Sequence, residues 1–340
     1  GHHVAAIEEK ARDAHGLVEK SAAIAREIKH HALGAGFVGL FHGLGHVAVR
    51  AGFFPAAQLP ALGAFVIRFS LPALLFNALA RRSFAEVLNL RYLAAYACGS
   101  LVALVAGLLW ARWVRGQGLT ASAIAAMGMS CANSAFVGYP LVLQVVGPEA
   151  TVALALTMMV ENLLMIPLCL ALADTGAASA GGSFVRAFGR ALAGLPRNPI
   201  IVAIIVGFAF ALLQWRLPAP LARSVDMLAG ASAATALFYV GGMLAGLSLR
   251  SMAGDAAVVS VGKLALHPAA TAGALMLFGP VSPGLATSAI LMAGAPMLGI
   301  YAILGQKHGQ EQVCSARLLV ATTASFVTLS LLIALVHRGA

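Results

Sequence analysis

Glu161 is the one acidic side chain well inside any of the long apolar runs of this 340-residue chain. A carboxylate at the centre of a bilayer costs about 2.5–3.5 kcal/mol on insertion scales, so it must face the protein interior or carry a proton. Two chemistries suit it, a proton-coupling carboxylate or an ion ligand, and a structural pairing with Lys263 or Arg68 suits it equally. Asn162 follows directly. Lys263 and His267 are four residues apart, hence on one face of a helix. Together they could draw an anion into a cavity, or Lys263 could snorkel to the interface. Asn77 reads as an interhelical hydrogen-bond former.

Two proline-bearing stretches carry the other chemistry. One reads Ser130-Cys131-Ala132-Asn133-Ser134-Ala135-Phe136-Val137-Gly138-Tyr139-Pro140, the other Leu291-Met292-Ala293-Gly294-Ala295-Pro296-Met297-Leu298-Gly299-Ile300-Tyr301. A mid-span proline removes a donor and clashes with the preceding turn, so both helices should break there. Freed backbone groups at membrane depth are tolerated only when buried in protein or lining a cavity. The half-helix that begins at a break offers free N–H groups to an anion.

The elements that position these residues follow from composition. The chain is 60% hydrophobic and 10% charged, against roughly 25% charged in a soluble domain, and its mean hydropathy is +0.90. These values exclude a soluble enzyme, a nucleic-acid reader and a disordered scaffold. Apolar runs long enough for a roughly 30 Å hydrocarbon core fall at 32–50, 61–80, 91–114, 120–146, 149–173, 198–215, 222–247, 256–279, 283–305 and 312–336. The expectation is an all-α integral membrane protein of ten spans.

The polar break at 174–197 divides the spans into a first five-helix repeat (32–173) and a second (198–337). An odd number per half makes the repeats inverted, and each proline stretch is the fourth span of its half. Residues 1–31 hold equal numbers of acidic and basic residues and read as an extramembrane amphipathic segment. Their opening, Gly1-His2-His3, leaves open whether they are native. Nine loop or span-edge arginines and lysines, Arg317 among them, fall on one side and six on the other. This places the 174–197 linker in the cytoplasm and both termini outside, and counting the N-terminal segment would reverse it. Arg68 and Lys263 remain as the cations able to meet an anion within the membrane.

The motifs resemble the auxin efflux carrier family of membrane transporters, in particular bacterial members that include malonate carriers. The likeness runs over about residues 45–337. It rests on Phe69-Ser70-Leu71-Pro72-Ala73-Leu74-Leu75-Phe76, on Asn133, Ser134, Ala135, Phe136, Gly138 and Pro140, and on Asn198-Pro199-Ile200. Leu266-His267-Pro268 and Ala295-Pro296-Met297 with Ile300-Tyr301 and Gly305-Gln306-Lys307 complete it. The resemblance implies ten helices in two inverted repeats, with helices four and nine crossing at their prolines and substrate bound beside the crossing. It implies a substrate site of Asn133, Ser134, Gly138 and Pro140 facing Ala295, Pro296, Met297 and Tyr301. It also brings Glu161 and Asn162 near that site, with Lys263 and His267 as further coupling or ion-binding candidates. Where the family often has a polar residue after the second proline, this chain has Met297, Leu298 and Gly299, which leaves that side to backbone groups.

The expected function is a secondary transporter moving a small organic anion, a carboxylate such as malonate or an auxin-like acid, by alternating access, either coupled to a proton or sodium ion or working as a uniporter. The alternatives are an ion-coupled symporter of a larger organic anion and a non-transport membrane sensor. No GxxxxGK[ST] run marks an ATP motor, and no clustered acids and histidines suggest an enzyme. No cofactor is expected, and no metal: His42 and His46 alone, and four cysteines without CxxC spacing, make no site. The GxxxG pairs Gly39/Gly43 and Gly242/Gly246 read as close packing within the fold more than as a homodimer seam. The expected setting is the bacterial inner membrane, multi-pass.

Overall fold

The computed structural model describes residues 43–81, 88–177, 183–245 and 253–339, so most of the first expected span and the segment 1–31 lie outside the described residues. Helical residues 43–50 lead into α1 (Ala56–Ala80), α2 (Leu90–Val114), α3 (Leu119–Ser130), α4 (Ser134–Val146) and α5 (Glu149–Ala177). After these come α6 (Phe184–Ala193), α7 (Pro199–Leu213), α8 (Ala219–Met243) and α9 (Asp255–Phe278). The chain ends with α10 (Pro283–Gly294), α11 (Tyr301–Gln306) and α12 (Glu311–Gly339).

Six of these helices are long and apolar enough to cross a membrane, or seven if the bent pair of 184–197 and α7 counts as one span. The apolar helices α3, α4 and α10 are shorter because breaks interrupt their runs. Among the described residues there is no strand, and one isolated antiparallel bridge joins Ala132 to Met297.

The helices sort into two packed groups, each drawing on both halves of the chain. Helices α1, α7 and α8 pack together, while α2 packs on α9 and the paired breaks lie among α5, α9 and α12. Residues 43–50 join the first group: a Cβ on Gly45 would collide with the Phe238 backbone, and one on Gly242 with Leu59. Of the two GxxxG pairs, Gly39 and Gly246 lie outside the described residues.

The contact between α2 and α9 is closest at Gly99, where a Cβ would lie 2.6 Å from Cα of Thr271. Backbone cannot yield as a flexible side chain can. Gly99→Ala is therefore expected to destabilise the protein by about 1–3 kcal/mol, read as a lowered thermal midpoint of the purified protein. An unchanged midpoint would show that the two helices separate freely.

Prolines shape the spans less abruptly than expected. Wide turns at Val66–Ser70, Ser134–Gly138, Glu161–Met165 and Gly262–Leu266 each end two residues before a proline: Pro72, Pro140, Pro167 and Pro268. In each, the residue preceding the proline donates its N–H to the carbonyl five residues back, as Tyr139 does to Ser134. Widening the turn accommodates the missing donor and the bulky ring without breaking the helix. The expected break at Pro140 is therefore displaced: Pro140 sits in a continuous helical turn, and the helix is interrupted upstream, at Cys131–Asn133. The break expected at Pro296 lies where proline placed it, between Gly294 and Tyr301.

The segment 174–197, expected as a linker, carries helical structure. Helix α5 continues to Ala177, and Phe184–Ala193 is an amphipathic helix packed on α5, bent by 64° from α7. Phe184 and Phe188 stack at 5.8 Å one turn apart, while Arg186 and Arg190 take other faces of the same helix.

Candidate functional site

The two breaks meet. Asn133 N–H donates to the Pro296 carbonyl at 2.7 Å, beside the Ala132–Met297 bridge. Backbone groups that lost their helical partners thus satisfy one another across the two stretches. The Asn133 carboxamide lies against Gly299, where a Cβ would be 3.4 Å from Nδ2. Asn133, Ser134, Gly138, Pro140, Ala295, Pro296 and Met297 are all buried, so the crossing is shut off from both surfaces.

Glu161 lies beside this crossing. Its Oε1 accepts from Ala132 N–H at 3.0 Å, from the Ser134 hydroxyl at 2.9 Å and from the Tyr96 hydroxyl at 3.1 Å, and the residue is 2% exposed. The carboxylate therefore sits at the start of the half-helix Ser134–Val146, the end where the backbone dipole favours negative charge. Among the described residues no ion pair ties it to Lys263 or Arg68, and Arg68 is exposed.

Lys263 does not reach the interface. It is fully buried, and its Nζ donates to the Ala293 carbonyl at 2.5 Å, in the last turn of α10. An ammonium at a helix C-terminus meets the negative dipole end. Nζ is also 3.0 Å from His267 Nδ1, and His267 Nε2 is 2.9 Å from Ser100 Oγ. With the ammonium donating, Nδ1 accepts and Nε2 carries the hydrogen that goes to Ser100. The His267 ring also meets Tyr96 edge to face at 5.7 Å. A carboxylate side and an ammonium side thus flank the paired breaks, linked through Tyr96 and His267.

The family model for "Membrane transport protein" matches residues 37–333. The chain belongs to that family, the auxin efflux carriers. It is also similar to a protein of Rhizobium meliloti (strain 1021) named "Putative malonate transporter", 28% identical over 309 residues, which cover 89% of this chain and 95% of that one. In this family member the apolar helices are those of a multi-pass integral membrane protein that carries out transport.

Other expected site residues face elsewhere. Asn162 donates to the Met158 carbonyl at 2.9 Å and accepts from Asn198 at 3.2 Å, tying α5 to the N-cap of α7. The Tyr301 hydroxyl donates to the Ile124 carbonyl at 2.8 Å and receives Arg317 Nη1 at 3.1 Å.

Arg317, read from sequence as a loop or span-edge charge, is 1% exposed and pairs with Asp255 at 2.5 Å. It is thus an interior cation that sequence reading assigned to the surface. Tyr96 and Ser100 were also missed. Tyr92, Tyr96 and Ser100 recur every four residues, one polar stripe on an otherwise apolar helix. Tyr92 uses the same stripe to reach Thr157 at 2.8 Å.

Proposed function

We propose that this protein is a secondary transporter that moves a small organic anion, a carboxylate such as malonate, by alternating access, with Glu161 as the coupling carboxylate for a proton. The observation that carries the reading is the antiparallel meeting of two broken spans at Ala132 and Met297 inside the buried interior. Half-helices beginning at Ser134 and Tyr301 offer positive dipole ends, which suit an anionic substrate. Transport by the family and the malonate in the relative's name support the substrate class. Substrate would contact Asn133, Ser134 and Gly138 on one stretch and the backbone of Ala295–Met297 on the other, with Tyr301 bracing the half-helix behind them.

The reading includes ten spans in two inverted repeats, supported by the matching fourth-span breaks and by packed groups that mix the two halves. It puts the segment 174–197 in the cytoplasm and both termini outside. One group of helices would then move against the other about the crossing.

Uptake of labelled malonate into proteoliposomes tests this reading. Wild-type protein should accumulate malonate when a proton gradient is imposed. Asn133→Ala should cut uptake at least about tenfold, the loss expected for one hydrogen bond to a charged group, while the protein stays folded. Malonate uptake that survives Asn133→Ala at the wild-type rate would refute a substrate site at the crossing.

A further inference from the structure

Two cavities open beside α1. One, of about 740 Å³, is lined by Phe76, Asn77, Arg81, Phe210 and Trp215 among others. The second, of about 510 Å³, has Asn77, Arg81 and Asp226 on one wall and Tyr139, Leu143 and Thr151 on another. Tyr139 and Leu143 belong to α4, which begins at the crossing and is roughly 20 Å long at 1.5 Å per residue. The second cavity therefore lies along the half-helix that leads from the surface to the buried breaks. Asn77 and Arg81 are the two residues common to both linings.

What these two residues hold is a carboxylate. Asn77 Nδ2 donates to Asp226 Oδ1 at 2.7 Å, and Arg81 Nη2 donates to Oδ1 at 2.6 Å and to Oδ2 at 2.7 Å. An amide and a guanidinium one turn apart, on the last turn and the C-cap of α1, thus converge on one carboxylate, which the chain itself supplies from α8. The grip is weak for such a pair. Its side chains are 56% and 47% exposed, so solvent screens most of the attraction. A single nitrogen bridges both oxygens, in place of two nitrogens meeting them in parallel. A soluble carboxylate entering either cavity can compete for the same donors.

We propose that Asn77 and Arg81 form an entry site for the carboxylate substrate, with Asp226 as a tethered competitor that the arriving substrate displaces. The inference rests on the carboxylate reading above and adds a second, peripheral site to it. Exchange of one carboxylate for another keeps the cation paired throughout, so entry does not strand a bare charge in the mouth of the cavity.

Trp215 gives a local probe. Its ring packs on Phe210 at 5.6 Å, and Phe210 packs on Phe76 at 5.1 Å, next to Asn77. Replacing Trp110 and Trp113 by Phe leaves it as the one tryptophan of the three. Malonate titrated against this protein at constant ionic strength should change its fluorescence. Asp226→Asn should lower the half-saturating concentration about fivefold, and Arg81→Gln should raise it by at least as much. Arg81→Lys, which keeps the charge, should fall between, and it serves if the Gln variant does not fold. A half-saturation that Asp226→Asn leaves unchanged or raises, or that both Arg81 variants leave unchanged, overturns the entry site. Parallel malonate uptake separates the two readings. An Arg81-dependent fluorescence response without uptake in the wild type refutes malonate transport and leaves the site standing, whereas uptake without that response refutes the site alone.

Discussion

Glu161→Ala is expected to abolish uptake and to destabilise the protein by about 3 kcal/mol, while Glu161→Gln keeps the fold and loses only the coupling. The difference lies in Oε1, which accepts from Ala132 N–H, Ser134 and Tyr96. Alanine strands three buried donors, each worth about 1–3 kcal/mol when unsatisfied. The two hydroxyls can rotate toward other acceptors, but the Ala132 N–H is fixed by the extended backbone that pairs with Met297. The total therefore falls well below the sum of three full penalties.

Glutamine retains a carbonyl oxygen that can accept two of the three bonds, that of the fixed Ala132 N–H among them, while the remaining hydroxyl turns to another acceptor, so the paired breaks should stay together. What it cannot do is take up and release a proton. Uptake by Glu161→Gln should then be the same with and without an imposed pH gradient, at a rate below that of the wild type. Stimulation by the gradient equal to that of the wild type would remove Glu161 from the coupling step and leave it a purely structural acceptor.

Hydropathy along the chain locates the apolar helices because lipid-facing and core-facing positions are both apolar, so a running average suffices. The Pro296 break is legible for a local reason: glycines on both sides and a proline between them leave no way to continue the helix. The other break was assigned to Pro140 by the same logic and lies upstream, at residues with no helix-breaking signature. Cys131, Ala132 and Asn133 leave the helix because Pro296 and Glu161 supply the partners that a helix would have supplied, and those partners are remote in sequence. Glu161 stood out for its rarity, but Tyr96 beside it and Ser100 beside His267 did not, since a hydroxyl in a span raises no comparable cost. The amphipathic helix within 184–197 was legible in the spacing of Phe184 and Phe188, yet the composition of its Gly- and Ser-rich approach masked it. Charge counting treats every arginine near a span end as a loop residue, and for Arg317 the deciding fact is an aspartate 62 residues away.

Arg317→Met should therefore be the most destabilising single change outside the crossing, by about 3–5 kcal/mol, because it strands a partner that is itself nearly buried. The guanidinium joins four helices: it belongs to α12, holds Asp255 of α9 through Nε at 3.1 Å and Nη2 at 2.5 Å, and reaches Tyr301 of α11 through Nη1. Tyr301 in turn bonds the Ile124 carbonyl of α3. The bond thus ties one segment from each broken span, the helix before the first break and the helix after the second, to the same cation.

Arg115 tempers the loss. Its Nε is 3.5 Å from Asp255 and its side chain is half exposed, so it can swing onto the carboxylate and hold the cost near the lower bound. Arg317→Lys keeps the charge but cannot serve Asp255 and Tyr301 together, and should lie between wild type and Met. Removing both charges, as Arg317→Met with Asp255→Leu, should recover much of the loss, since no buried charge is then left unpaired. Thermal unfolding of the four proteins gives the coupling directly, with about 2 kcal/mol or more expected between the two sites. Additive single losses would mean that Arg115 and water already satisfy Asp255, and that α12 is held at the breaks by packing alone.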